Sequence, residues 1–114
     1  PALRVETGSD LEDLAPAVDA ALYRIAQEGI TNAVRHGRNV TAIYVNVNDL
    51  GERVELLIHD DGEETYSQVN PDPGFGIIGM EERAKLLGGW CTAGPAQEGG
   101  WTVRTIIPKA GASR

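Results

Sequence analysis

An α+β domain, with helices layered on one face of a mixed and mostly antiparallel sheet, is the fold class this sequence predicts. Three observations predict it. A long stretch from Pro16 to His36 repeats its apolar residues at helical spacing. Two adjacent stretches, Thr41–Asn48 and Arg53–Ile58, alternate apolar and polar residues. A shorter helical run near Met80–Leu87 then precedes two more strand-like segments. Runs of strands and helices mixed in this way point to a two-layer sandwich.

Each element follows from its residues. Leu3–Glu6 reads as a short extended segment, and Thr7–Ala15 as a polar, acidic connection. Pro16 suits the first turn of a helix, where its missing N–H costs nothing. Val18, Leu22, Ile25, Ala26, Gly29 and Ala33 then form one stripe of period 3.6, and Gly37 is a natural stop. In the next segment Ile43, Val45 and Val47 point one way and Tyr44, Asn46 and Asn48 the other. Asp49-Leu50-Gly51-Glu52 is a turn, and Val54, Leu56 and Ile58 point inward from the returning strand. From Asp60 to Phe75 the composition is that of a loop. Ile77, Met80, Ala84 and Leu87 share one side of a helix that Gly88-Gly89 ends. Trp90–Ala93 and Trp101–Ile107 read as two final strands, with residues 1–109 forming the domain and 110–114 a disordered tail.

Composition sets the outer limits. A chain of 114 residues with an apolar fraction of 41% is one domain with one modest core. No apolar run approaches the ~20 residues that span a bilayer. A net charge of −7 argues against nucleic acid as a partner, since phosphate backbones call for clustered Lys and Arg. It leaves a single nucleotide open, because backbone N–H groups and a divalent ion suffice for that. The single cysteine, Cys91, excludes an internal disulfide and a cysteine-based zinc site.

Three segments carry chemistry. In Gln27–His36, Glu28 and Asn32 are four residues apart, so they stand one turn above each other on one side of the helix. His36 continues that line. Carboxylate and amide oxygens are ligands that Mg²⁺ accepts, although a solvated helix flank has the same pattern. In His59-Asp60-Asp61-Gly62, Asp60 shares the parity of the inward residues Val54, Leu56 and Ile58. A carboxylate on a buried face is costly without a partner, and an adenine amino group is a suitable donor. Gly62 allows the backbone to turn and approach a base closely; a plain Asp-Gly turn is the simpler reading of those residues. In Gly74-Phe75-Gly76-Ile77-Ile78-Gly79-Met80, glycines precede a helix, where N–H groups can converge on phosphate oxygens. No strand comes directly before them, which argues against a dinucleotide fingerprint, and no Lys-Ser/Thr follows, which excludes a Walker-A loop.

In this order the segments resemble the ATPase domain shared by sensor histidine kinases, gyrases, heat-shock chaperones and mismatch-repair ATPases, a Bergerat-type ATP-binding fold. Residues 28–36 match its N box, Asp60-Asp61-Gly62 its first glycine box, and residues 74–83 with Leu86-Leu87-Gly88-Gly89 its second. Gly99-Gly100-Trp101-Thr102-Val103-Arg104 looks like its closing strand. The version here is most similar to histidine kinases with a short lid, since eleven residues lie between Gly62 and Gly74. It departs from the pattern at Glu64, where a second glycine is usual, and at Trp101, where a threonine often stands.

The resemblance implies ATP and Mg²⁺ as cofactors. It implies that Asn32 holds the metal, that Asp60 accepts a hydrogen bond from adenine, and that Gly74, Gly76 and Gly79 cradle phosphates. Gly62, Ile77 and Met80 fall within the same nucleotide-binding boxes, and Arg35 and His36 are placed to contact phosphate oxygens. Glu28 matches the position proposed to polarise the attacking nucleophile. The function implied is γ-phosphoryl transfer to a histidine on a separate dimerisation segment. The partners are that upstream helical segment and, indirectly, a response regulator, without nucleic acid or direct membrane contact by this domain. The expected location is cytoplasmic, in a parent that can itself be membrane-anchored. Neither His36 nor His59 suits the acceptor role, so the chain alone is expected to bind nucleotide without phosphorylating itself. The alternatives sharing this pocket are a serine kinase that controls a sigma factor and a nucleotide-free docking module.

Overall fold

The computed structural model describes residues 2–7, 14–36, 39–63, 77–96 and 99–111, with Thr7 and His36 described in their backbone alone. In chain order the elements are β1 (Ala2–Thr7), α1 (Pro16–His36), β2 (Ala42–Asp49), β3 (Arg53–Asp60), α2 (Ile77–Leu86), β4 (Trp90–Pro95) and β5 (Trp101–Pro108). The strands form one sheet in the order β1-β2-β3-β5-β4. Only β1 and β2 run parallel, because the long helix α1 crosses between them; every other pairing is antiparallel. The expected α+β sandwich is the fold observed.

Helix α1 has the predicted bounds and buries the predicted stripe. Val18 and Ile25 are fully buried, Leu22 and Ala33 nearly so. They meet Val54, Leu56 and Ile58 of β3 and Val103 and Ile107 of β5 in one apolar cluster. Each fully buried aliphatic side chain contributes about 1.5–3 kcal/mol. The opposite sheet face carries Tyr44, Asn46, Leu57, His59, Thr102 and Arg104, in register with one another across β2, β3 and β5.

Several local boundaries differ from the sequence reading. Helix α2 begins at Ile77 rather than Met80, so Ile77, Ile78 and Gly79 form its first turn. Strands β4 and β5 run on to Pro95 and Pro108. The chain beyond Lys109 does not become a tail at once. Gly111 is buried and donates from its N–H to the Pro108 carbonyl at 2.9 Å.

The end of α2 explains Gly88-Gly89 physically. Gly88 adopts φ 82°, and its N–H donates to Lys85 O at 3.0 Å while Gly89 N–H donates to Ala84 O at 2.9 Å. This paired closure satisfies the last helical carbonyls and needs a left-handed residue. Gly89 has a second reason. A Cβ there would lie 2.1 Å from the Ile106 carbonyl oxygen, so the chain leaves the helix in backbone contact with β5.

Candidate functional site

Helix α1 runs along β3, and this direction decides which side chains meet. At its start, Ala15 N–H donates to Lys109 O, and Lys109 N–H donates to Glu52 O just before β3 begins. Further along, Gly29 packs so tightly on β3 that a Cβ would fall 2.5 Å from Ile58 Cδ1. Asn32 lies one helical turn beyond Gly29, and Asp60 lies one same-face step beyond Ile58. Both therefore arrive at the same end of the helix–sheet layer. They are 5% and 2% exposed, which is unusual for an amide and a carboxylate.

Asp60 ends β3 and begins a turn. Its Oδ1 accepts the Gly62 N–H at 2.9 Å, so the carboxylate curls over its own turn. Gly62 is buried. Beneath it, Gly100 adopts φ 83°, and a Cβ on Gly100 would lie 1.9 Å from the Asp60 carbonyl oxygen. Trp101 pairs directly opposite Asp60 on β5 and is nearly buried. Gly100 thus serves the position of Asp60 by letting two backbones touch. The sequence reading gave Gly99-Gly100 only to the closing strand; the signal for a closer role was the Gly-Gly pair just before a buried strand.

Asp61 faces outward and fastens the same turn. Its Oδ1 accepts N–H bonds from Thr41 at 2.8 Å and Ala42 at 3.0 Å, and its Oδ2 accepts the Thr41 hydroxyl. The Thr41 hydroxyl first, then the Ala42 and Thr41 N–H groups, lower the Asp61 carboxyl to about 2. Beside it, the Asn39 side-chain amide donates to the Glu63 carboxylate. Asn39 itself sits at φ 58°, a left-handed conformation that asparagine tolerates. The sequence reading missed Asp61 and Thr41, since nothing local links residues twenty positions apart.

The remaining candidates are placed less uniformly. Glu28 is half-buried, one turn before Asn32 on α1. Arg35 is exposed in the last turn of α1. The His36 side chain, Gly74, Gly76 and Glu64 lie outside the described residues. Ile77 is half-buried at the start of α2 and packs against the core, and Gly79 is exposed, where a Cβ would make only ordinary contact with the Arg83 side chain at 4.0 Å. Met80 is fully buried within the apolar cluster. At helical spacing from Ala84 it points into the core, on the side of the helix expected to carry Ile77, Met80, Ala84 and Leu87. His59 points to the opposite sheet face, stacks on Tyr44 at 6.1 Å between ring centroids, and meets Thr102 Oγ1 at 3.1 Å. Among the described residues, no group of three or more His, Cys, Asp or Glu could hold a metal ion, and no helix is long and apolar enough to cross a membrane.

Known proteins resemble this chain in sequence and fold. The family described as histidine kinase-, DNA gyrase B-, and HSP90-like ATPase matches residues 17–111. The sensor histidine kinase YxjM of Bacillus subtilis is 37% identical over 101 residues, covering 89% of this chain and 24% of that protein. The signal transduction histidine-protein kinase/phosphatase DegS of the same organism is 37% identical over 82 residues, covering 69% of this chain and 21% of that one. The chain thus spans about a quarter of the length of these relatives. Among solved structures, the nucleotide-free catalytic domain of histidine kinase ThkA superposes with a TM-score of 0.74 at 17% identity, covering 96% of this chain and 80% of that one. The blue-light activated histidine kinase of Erythrobacter litoralis gives 0.71 at 19% identity, covering 96% and 36%. At these identities the two structures speak for the fold.

Proposed function

Because the chain belongs to the histidine kinase-, DNA gyrase B- and HSP90-like ATPase family, we propose that it is the ATP-binding catalytic domain of a two-component sensor histidine kinase. The observation that carries this reading is the pair of buried polar side chains, Asp60 and Asn32, brought to one end of the α1–β3 layer. The sensor histidine kinases among its relatives support the kinase over other members of the family.

In this reading Asp60 accepts a hydrogen bond from the adenine amino group, and Gly62 lets the chain pass close to the base. The Asn32 amide oxygen is a hard donor that suits Mg²⁺, which when bound offsets phosphate charge. Gly74, Gly76 and Gly79 stand before and within the first turn of α2, where backbone N–H groups favour phosphate oxygens. Arg35 and His36 lie at the end of α1, within the same proposed reach. The reaction is transfer of the terminal phosphoryl group to an imidazole nitrogen supplied by a separate helical segment of the parent. The bond to the β-phosphate oxygen breaks, an N–P bond forms, and the nitrogen's proton leaves. Glu28 stands one turn before Asn32, where it orients the incoming imidazole. A response regulator receives the phosphoryl group afterwards, on the cytoplasmic side.

The test is a titration of the 114-residue chain with ATP and Mg²⁺. Saturable binding is expected. In a folded Asp60→Asn variant affinity should fall by roughly 10-fold to 100-fold, because a hydrogen bond to a charged group contributes about 1.5–3 kcal/mol. Equal affinity in the two proteins removes Asp60 from the site. A chain that binds no nucleotide at all removes the kinase reading in favour of a docking module.

A further inference from the structure

We propose that Asp61 is a positioning residue of the nucleotide site: its carboxylate ties the turn that carries Asp60 and Gly62 to the start of β2. The proposal rests on the nucleotide reading above and adds a part that the reading does not contain.

The turn holding Asp60 is the end of a strand, not its middle. Asp60 itself pairs with Ile43 of β2 and Trp101 of β5. Beyond it, among the described residues, Asp61 N–H reaches Ala42 O at a long 3.3 Å. Asp61 adds three contacts from one side chain, to Thr41 N–H, Ala42 N–H and the Thr41 hydroxyl. Asn39 and Glu63 form a further tie between the same two stretches. Gly100 closes the turn from the other side through backbone contact with Asp60. Asp60 is therefore gripped between β5 and the start of β2, and Asp61 is the grip on the β2 side.

The tie also joins two halves of the site. Thr41 and Ala42 follow directly on the connection that leaves α1, whose last turns carry Asn32 and Arg35. The proposed metal residue and the proposed base-recognition residue are thus linked by a short stretch of chain plus one carboxylate. Fastening the turn to Thr41 and Ala42 preorganises it, and preorganisation raises affinity by lowering the ordering cost of binding.

Geometry predicts which replacements are tolerated. Asparagine at 61 keeps an oxygen for the Thr41 and Ala42 N–H groups, and its amide can donate to the Thr41 hydroxyl. Alanine keeps none of these. With the carboxyl held at about 2, the ratio between wild type and Asp61→Ala should stay constant from pH 5 to pH 8. The group is ionised throughout that range, and its contribution is lost only as pH falls toward 2.

The experiment measures ATP and ADP affinity of the full chain in wild type, Asp61→Ala, Asp61→Asn, Thr41→Val and Asp60→Asn, well below each unfolding midpoint. Asp61→Ala should raise Kd by about 5-fold to 20-fold, equally for ATP and ADP, since the base end is displaced. Asp61→Asn should stay within about 2-fold of wild type, and Thr41→Val should lose about 2-fold to 5-fold. In the Asp60→Asn background, Asp61→Ala should add less than about 2-fold, because residues acting as a unit are not additive. A purely structural Asp61 would lower the unfolding midpoint and leave Kd unchanged, and that result overturns the proposal. If Asp61→Ala does not fold, unchanged Kd in Thr41→Val overturns it instead. Failure of wild type to bind any nucleotide is a different outcome, one that overturns the kinase reading and this inference together.

Discussion

Strand β3 carries two buried carboxylates on opposite faces, and their surroundings differ in kind. Glu55 points to the face without helices. It accepts Arg104 Nε at 2.6 Å and Asn48 Nδ2 at 2.9 Å, and Arg104 also lies 5.6 Å over the Trp90 ring. Asp60, five residues later, points to the helix face at the end of the strand, where its carboxylate receives the N–H of Gly62. Glu55 is answered by a full opposite charge in mid-strand; Asp60 stands at the end of the strand, where the Gly100 backbone approaches its carbonyl and Gly62 N–H donates to its carboxylate. A carboxylate neutralised within the sheet is part of the scaffold; the one at the end of the strand is the one the proposed function assigns to recognition.

The contrast can be broken most severely at Gly100. Alanine there meets the Asp60 carbonyl oxygen at 1.9 Å in a backbone conformation that side chains rarely adopt. We expect a loss of about 3 kcal/mol or more of stability, read by denaturant unfolding, together with lost nucleotide binding. Next is the pairing of Asp60→Asn with Glu55→Gln. The first should lower affinity by the 10-fold to 100-fold given above; the second should leave affinity unchanged and cost about 1 kcal/mol of stability, since Arg104 is half exposed. Equal effects of both on affinity would abolish the distinction.

A smaller effect concerns pH. The Arg104 guanidinium, together with Asn48, holds the Glu55 carboxyl below its ordinary value against a desolvation cost. A depressed carboxyl contributes stability that is present above its unfolded value and lost as pH falls through the folded one. Arg104→Met should therefore flatten the acid limb of the stability profile below about pH 4.5. The smallest change is Asp49→Asn, which weakens the part-buried pair with Lys109 at 2.7 Å but keeps an oxygen for the Gly51 N–H, and should lower the unfolding midpoint only slightly.

Much of this was legible in the sequence, for reasons that differ by residue. Helix α1 declared itself through period 3.6 and a proline start, and Asp60 through its parity with Val54, Leu56 and Ile58. Both signals are local. The start of α2 was not legible, because Gly79 in a first helical turn has the same composition as a phosphate loop. Met80 stands inside a glycine motif and also at core spacing from Ala84, and its burial follows the second signal. The Asp61–Thr41 tie and the Glu55–Arg104 pair span twenty and forty-nine positions and exist only once the strands are aligned.

The backbone contact at Gly89 has a mechanical consequence. Because the exit of α2 rests against Ile106 without an intervening side chain, that end of the helix is pinned to the sheet. Met80 and Ala84, both fully buried, hold the middle of the same helix against the core. The exposed Ile78 and Leu86 are therefore carried on a helix that cannot slide along the sheet.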